Sequence, residues 1–429
     1  MSGPPAIIVF TRYPQPGQAK TRLIPAVGEE GAAALQRRMT RHTLGRASAY
    51  CMGNRESRLT VVHEGGEAGM MREWLGPLSF TPQGTGDLGE RLQRAARQAF
   101  DAGAGLVIII GTDCPSLSEA VLSSAVTATH LHHLVFGPAA DGGYYLVGLD
   151  DPALVSVFEK IPWSTSGVLT ASMNAARDAG LEPALLATLP DVDEPHDLPD
   201  ALSVLDAADR VSVIIPALNE AANLGRLLPA LKAAAPWEII IADGGSTDDT
   251  AAVAAAQGVR RLLTPRGRAA QMNAAALEAT GEFLLFLHAD TEPPADFCAV
   301  IRRTLQVPGT AAGAFTFRLR EPLPGRALIE KGVALRCRRR SLPYGDQGLF
   351  LRRSLFTAAG GFPDWPILED VEFVRRLRER GGIVTAPEAA LTSSRRWKNG
   401  GTLPTFLRHQ LILAGYAIGI PPHRLAEWR

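Results

Sequence analysis

Three strand-and-loop steps recur in the same order in both halves of this chain, and that echo constrains its fold more than any other feature. Each half opens with a buried apolar run entering a Pro-containing loop, AIIVFTRYPQPG at 6–17 and VSVIIPALNE at 211–220. Each has a central apolar run ending in aspartate, LVIIIGTDCPSL at 106–117 and EFLLFLHADTEPP at 282–294. Each then steps from Asp-x-Gly into another apolar run, ADGGYYLVG at 140–148 and GDQGLFLRR at 345–353. Part of this follows from the general likeness of parallel α/β domains; two copies of one architecture account for all of it.

Strand-length apolar runs alternate with Ala- and Leu-rich helical stretches throughout, the βαβ pattern of a mostly parallel sheet covered by helices. Strands are expected at Ala6–Phe10, Leu106–Ile110, Leu134–Phe136, Val211–Ile215, Glu238–Ala242 and Phe283–His288. Helices are expected at Glu29–Ala49, Leu88–Ala102, Ala221–Ala234, Asp249–Gln257 and Ala269–Ala279. At 429 residues the chain exceeds what one core serves, so two domains of roughly 200 residues follow. The polar, Ala-rich SVLDAADR marks the join, which places the domains at 1–201 and 202–429.

With 44 basic and 44 acidic residues, no net field draws nucleic acid. Four cysteines, Cys51, Cys114, Cys298 and Cys337, stand far apart without a CxxC pair, which favours a reducing, cytoplasmic setting over a disulfide framework or structural zinc. The start, MSGPPAIIVFTRYPQPG, has no basic n-region, so no signal peptide is expected. The apolar run Leu411–Pro422 is too short to span a bilayer, and the expectation for it is a buried helix, with a peripheral membrane contact as the alternative.

In the second half, four segments fall at carboxyl ends of strands, where open α/β sheets bind ligands. Pro216, Asn219 and Glu220 follow the first strand. The second runs into ADGGSTDDT, where Asp243 suits a ribose or base hydrogen bond and Ser246 a helix cap. PRGRAAQMN sets Arg266 and Arg268 at a helix start, where amides and guanidinium both favour phosphate. LLFLHADT ends in His288 and Asp290; a hard divalent ion, Mg²⁺ or Mn²⁺, on a diphosphate needs carboxylate oxygen, which Asp290 offers. His288 is a second ligand, a base contact or a packed histidine. Further on come Asp346 and the pair Glu369 and Asp370, the latter opening a helix with Val371, Val374 and Leu377 on one face. A carboxylate there can accept a proton from an attacking hydroxyl or simply cap the helix, whose positive end would weaken it as a base.

These stretches, VSVIIPALNEAANL, ADGGSTDDT, RGRAAQMNAA, LLFLHADTEPP, YGDQGLFLRR and LEDVEFVRRLRERG, resemble family-2 glycosyltransferases of the GT-A fold across nearly all of 211–397. More narrowly, they are similar to glycosyltransferases associated with radical-SAM enzymes and arsenosugar biosynthesis. The resemblance implies that Asn219, Glu220 and Asp243 hold the nucleoside, Asp290 the metal, and that Asp370 is the base of an inverting transfer. His288 stands where the wider family commonly has aspartate.

The first half gathers Arg12, Lys20 and Arg22 after its opening strand, without P-loop spacing. Asp113 ends the central strand as Asp290 does, Asp87 sits in the glycine-punctuated QGTGDLGERL, Asp141 lies beside two glycines, and LPDVDEPHDL holds Asp191 and Asp193. Three acidic loops and one basic loop suit a metal–nucleotide complex, although each alone is ordinary turn or cap chemistry. PGQAKTRL, QGTGDLGERL, GTDCPSL, ADGGYYLVGL, IPWSTSGVL and DVDEPHDL resemble the first-transferase family of the same radical-SAM systems and, more distantly, nucleotidyltransferases such as guanylyltransferases. That implies phosphate contacts for Lys20 and Arg22 and metal ligation by Asp113, with Asp193 nearby. The expected protein is therefore a pair of Rossmann-like GT-A domains. The second transfers a sugar from a nucleotide-diphosphate donor to a small acceptor, and the first is a nucleotidyl- or glycosyl-transferase relative; the alternatives are a non-catalytic nucleotide-binding or dimerisation module in the first half, or nucleotidyltransferases in both. Cys114 has no sequence partner as a nucleophile. The cluster Arg336, Arg338, Arg339 and Arg340 is read as a solvated face, an anionic-acceptor contact or a membrane contact, and Arg395, Arg396 and Trp397 as closing over phosphates or packing.

Overall fold

A computed structural model describes residues 3–54, 56–395, 398 and 401–428. The chain forms two compact units, Met1–Ala208 with Gln306–Pro308, and Asp209–Leu305 with Gly309–Arg429. The first contains a seven-stranded sheet built from β1 (Pro5–Arg12), β2 (Arg58–Glu64), β3 (Ser79–Pro82), β4 (Leu106–Ile110), β5 (Leu134–Pro138), β6 (Tyr144–Leu149) and β7 (Ala184–Leu185), ordered β3-β2-β1-β4-β6-β5-β7. The second contains β8 (Val211–Ala217), β9 (Glu238–Asp243), β10 (Arg260–Leu263), β11 (Phe283–Phe286), β12 (Thr291–Glu292), β13 (Thr310–Leu319), β14 (Leu349–Arg352) and β15 (Gly382–Thr392), ordered β10-β9-β8-β11-β14-β13-β15-β12. With β8–β11 standing for β1–β4, β14 for β6, β13 for β5 and β15 for β7, the two orders coincide, and the second unit adds β12 at its edge. In both sheets the strand after the Asp-x-Gly step, β6 or β14, is the antiparallel one beside the central strand. The echo in the sequence is thus an echo of topology.

The central strands read as unbroken apolar runs because helices cover both faces of each sheet. Along β1 and β4 alternate residues enter different cores: Ile8, Phe10, Val107 and Ile109 pack with Phe136 and Phe158 on one side. Ile7, Val9, Ile108 and Ile110 pack with Leu44, Val61 and Leu122 on the other. In the second unit Val213, Ile215, Ile241, Phe283 and Leu285 meet Leu224, Leu228, Leu231 and Phe297.

Two expectations shift in register. The first long helix spans Ile24–Gly53 but is broken at Gly28 (φ 73°), so its regular part begins where periodicity placed it. The stretch expected as a polar join lies largely in a helix, Leu198–Ala207, whose Ala201 and Leu205 pack on Leu23, Leu35 and Met39. The units therefore divide at Ala208/Asp209. The late helix Thr402–Ala417 also departs from the expectation of burial: Ile412 is inside, but Leu411 and Ile418 are 62% and 79% exposed. No helix among the described residues is long and apolar enough to cross a membrane.

Candidate active site

In the second unit the loop after β8 and the turn after β9 are knitted together before any ligand is considered. Asn219 takes a left-handed conformation (φ 57°), and its Oδ1 accepts hydrogen bonds from the Thr247 amide at 2.8 Å and hydroxyl at 3.3 Å. Its own amide donates to Ser246 Oγ at 2.9 Å. Glu220 Oε2 accepts from Asn223 Nδ2 at 2.6 Å. Asp243 is fully buried; Oδ1 accepts from the Ser246 amide and hydroxyl at 2.8 and 2.7 Å, and Oδ2 from Arg261 Nε at 2.7 Å. Burial alone would raise its pKa, but Ser246 and Arg261 outweigh that and hold the carboxyl below the ordinary range. Asp243 and Ser246 thus shape the turn with the very atoms expected to meet a nucleoside. Gln271, which no sequence motif singled out, lies buried beneath, its Nε2 donating to Ala217 O and Ala242 O at 2.8 Å each and tying the ends of β8 and β9. Pro216 is half-buried in β8, and Arg266 is exposed with no ion pair among the described residues.

Of the remaining expected residues, Arg268, His288, Glu369 and Asp370 line one pocket, together with Met272, Phe286, Gly345, Leu349 and Phe362. Asp370 Oδ2 accepts from the Gly345 amide at 2.7 Å and Oδ1 from the Val371 amide at 2.8 Å. A Cβ at position 345 would lie 3.0 Å from His288 Nε2 and 3.3 Å from Asp370 Oδ2, so glycine lets the backbone pass between imidazole and carboxylate. Glu369, buried, pairs with Arg268 Nη1 at 3.1 Å. Arg268 therefore serves the pocket through a carboxylate, while the apolar face Val371, Val374 and Leu377 seats the helix in the core. Asp290 is half-buried, and its carboxylate has one distant contact, Thr291 Oγ1 at 3.5 Å, which leaves oxygen lone pairs available. Its backbone oxygen is held by the Ser393 amide at 3.1 Å and by Arg320 Nη2 at 3.3 Å. Arg320 is a support that no local sequence pattern announced. Asp346 is half-buried, with its backbone oxygen accepting from Thr392 Oγ1 at 2.8 Å. Arg395 is exposed, whereas Arg396 and Trp397 lie outside the described residues.

In the first unit Lys20 is the hub. Left-handed at φ 48°, it reaches Asp113 Oδ1 at 2.8 Å, Asp193 Oδ1 at 3.5 Å and Val192 O at 2.7 Å. Burial would pull its pKa down, but Asp113 and Asp193 hold it above the ordinary lysine range. Arg22 Nη1 pairs with Asp193 Oδ2 at 3.0 Å. Asp141, Asp191 and Asp193 bring carboxylate oxygens within 4.8 Å of one another. Asp113 belongs to the lysine contact rather than to this trio. Asp191 is raised, first by burial and then by the charge of Asp141. Strand-like pairing of Leu189 with Pro138 and Ala139 carries the 191–193 loop to Asp141, a contact invisible in the sequence. Two expected nucleotide contacts are engaged elsewhere. Arg12 is paired with Glu64 at 2.8 Å, and Asp87 closes a capping box with Glu90 at the head of Leu88–Asp101. Cys114 is buried, which pushes its thiol up and makes it inert.

Comparison with known proteins divides the chain the same way. Residues 212–357 match glycosyl transferase family 2, and residues 48–165 match a family described as uncharacterized proteins conserved in bacteria (DUF2064). The match to glycosyl transferase family 2 thus falls within the second unit, and each unit is a mostly parallel sheet flanked by helices. Proteins named as uncharacterized glycosyltransferases in Mycobacterium bovis and Mycobacterium tuberculosis are 38% identical over 85 residues, 20% of this chain and 38% of theirs. The chain therefore spans well under half the length of these relatives. Among solved structures, a candidate nucleotide-diphospho-sugar transferase from Desulfovibrio desulfuricans is 29% identical, covering 48% of this chain and 97% of that one at a TM-score of 0.41. Glucosyl-3-phosphoglycerate synthase from Mycobacterium tuberculosis, in complex with Mn²⁺, uridine diphosphate and glucosyl-3-phosphoglycerate, is 20% identical, covering 49% and 81% at 0.37. A mannosyltransferase from Pyrobaculum calidifontis, with GDP-mannose and Mn²⁺, is 22% identical, covering 42% and 56% at 0.34.

Proposed function

We propose that the second unit transfers a sugar from a nucleotide-diphosphate donor to a hydroxyl of a small acceptor, with Asp370 as the base. The observation that carries this reading is a carboxylate set in a pocket beside His288 and the Arg268–Glu369 pair, fixed by the Gly345 amide. The acceptor oxygen attacks the anomeric carbon, its proton passes to Asp370, and the bond to the diphosphate oxygen breaks, inverting the centre. The available oxygens of Asp290 suit a hard divalent cation, Mg²⁺ or Mn²⁺, which when bound would neutralise charge on the diphosphate. Asn219, Glu220 and the Asp243 turn frame the nucleoside side, and Arg266 remains available for phosphate. Replacing Asp370 with Asn should lower transfer by roughly 10²–10⁴-fold while donor binding persists; a full-rate Asp370→Asn enzyme would remove the base from the mechanism.

The first unit is proposed as a second nucleotide-handling transferase, nucleotidyl or glycosyl, which would make the chain bifunctional. The Asp141, Asp191 and Asp193 trio beside Lys20 favours this over a passive binding or dimerisation module, because clustered carboxylates suit a cation–phosphate complex. If an activity assigned to the first unit survives Asp191→Asn/Asp193→Asn but is removed by Asp290→Ala, the first unit is not its source and the passive module is favoured. Kinship with transferases of radical-SAM and arsenosugar systems is proposed from the sequence motifs. So is a cytosolic location, which the four free cysteines support.

A further inference from the structure

The helix Arg326–Arg340, RALIEKGVALRCRRR, buries Ile329, Glu330 and Cys337 and turns its opposite side to solvent. Leu328 and Leu335 are 77% and 49% exposed there. At 3.6 residues per turn they project within about 20° of one another. On the same projection Lys331 and Arg338 flank them on one side and Arg339 on the other. The one acid of the helix, Glu330, is buried and neutralised by Arg318 and Arg326 at 2.6 and 2.8 Å. Every exposed charge on this helix is therefore positive. Arg336 is occupied, stacking over Tyr344 at 3.5 Å and donating to Leu342 O at 3.0 Å. Lys331, Arg338, Arg339 and Arg340 are exposed and make no side-chain hydrogen bond or ion pair among the described residues.

Cations near a helix C-terminus complement its dipole, but that effect needs neither three consecutive arginines nor two leucines standing in water beside them. Exposed leucines ringed by unpaired cations match a surface that is anionic outside and apolar just beneath. A second copy of this chain fits poorly, because a twofold contact through this face would set arginines against arginines. The helix Thr402–Ala417 of the same unit also leaves Leu407 and Leu411 exposed, and Ile418 follows at its end. Between 395 and 428 the sequence has Arg395, Arg396, Lys398, Arg408 and Arg424 against the single acid Glu427.

We propose that the Leu328–Leu335 face of Arg326–Arg340, with its unpaired Lys331 and Arg338–Arg340, docks the second unit peripherally on an anionic lipid surface. Shortly after Arg340 the chain reaches Gly345, whose amide holds Asp370, so docking would set the acceptor side of the pocket near that surface.

The test is sedimentation of the full chain with vesicles of phosphatidylcholine alone and of an equal mixture with phosphatidylglycerol. It needs no donor or acceptor, so its outcome is independent of the proposed transfer. The chain should sediment with the anionic vesicles only, and raised salt should release it. Arg338→Gln/Arg339→Gln/Arg340→Gln should weaken binding on the order of a hundredfold, since each basic residue contributes about fivefold. Leu328→Ser/Leu335→Ser should weaken it separately, and unchanged melting of both variants shows that they fold. No sedimentation with anionic vesicles, or equal binding by the arginine variant, overturns the proposal. A dimer of the unmodified chain that the leucine variant abolishes also overturns it, assigning the face to a second copy.

Discussion

Both carboxylate oxygens of Asp243 are engaged, one by the Ser246 amide and hydroxyl and the other by Arg261, and the side chain is wholly buried. Its folded pKa lies below its unfolded value of about 3.9. A depressed carboxyl stabilises the fold above the unfolded value and loses that contribution as pH falls through the folded one. Asp243→Asn should therefore cost about 1–3 kcal/mol at neutral pH, because Arg261 loses its charged partner. It should also flatten the acid limb of stability, and urea unfolding at neutral pH and near the carboxylate range measures both effects. If the variant loses the same stability on acidification as the unmodified protein, Asp243 is not the titrating group. The contrast with Asp290 is instructive: one aspartate at a strand end is saturated by its own chain, the other is left with a single 3.5 Å contact. Sequence position could not separate them, since both stand where β strands of an open sheet deliver ligands. Arg261, 18 residues along the chain, saturates the Asp243 carboxylate, whereas Ser393 and Arg320 hold only the backbone oxygen of Asp290 and leave its carboxylate available.

At the scale of elements, the segment Glu369–Arg378 begins at Leu368 in a left-handed conformation (φ 63°) and puts Glu369 in the core, with Asp370 at the pocket. Arg268, at the head of another helix, neutralises Glu369 across 3.1 Å. Removing one partner of a buried pair costs about 3–5 kcal/mol, while the pair itself adds little over an apolar substitute. Part-exposure of Arg268 places Arg268→Met toward the low end of that range. It should lower the melting temperature visibly, and Arg268→Met/Glu369→Leu should recover most of the loss. Failure of the double variant to recover would show that Arg268 stabilises something other than Glu369. The strands expected from the sequence, β1, β4, β5, β8, β9 and β11, are buried on both faces, where an apolar run has no competing explanation, and the equally buried runs after the two Asp-x-Gly steps form β6 and β14. β2, β3, β10 and β13 were not singled out. RRLL and SFTP are short and partly exposed, and β13 pairs with β15 through two register shifts. In β15 exposed Pro387 and half-buried Glu388 mask the pattern. The acidic trio was half legible for the same reason. Asp141 and the pair Asp191 and Asp193 stand out in the sequence as two separate loops, but only the pairing of Leu189 with Pro138 and Ala139 brings all three to one place.

At the scale of the molecule, each unit owns its cores: Phe136 and Phe158 in the first, Phe283, Phe297 and Phe350 in the second. Separate cores mean separate cooperative transitions, so a single unfolding free energy does not describe the chain. Calorimetry of the full chain should resolve two transitions, and two variants should assign them. Lys20→Met leaves Asp113 and Asp193 without their buried cation. It should lower the first unit's transition alone, by roughly 1–3 kcal/mol, since Asp113 and Asp193 are partly open to water. Nucleoside diphosphate with Mn²⁺ should raise the second unit's transition. A ligand at a hundred times its dissociation constant stabilises by about 2.7 kcal/mol, or roughly 5–10 °C for a unit of this size. Asp290→Ala should abolish that rise without moving the ligand-free transition far, because its carboxylate supports little of the fold. If the rise survives Asp290→Ala, the cation is held elsewhere. If it appears instead in the transition that Lys20→Met lowers, nucleotide binding belongs to the first unit. A chain that melts in one transition, moved equally by both variants, would show that the two units are energetically coupled despite their separate cores.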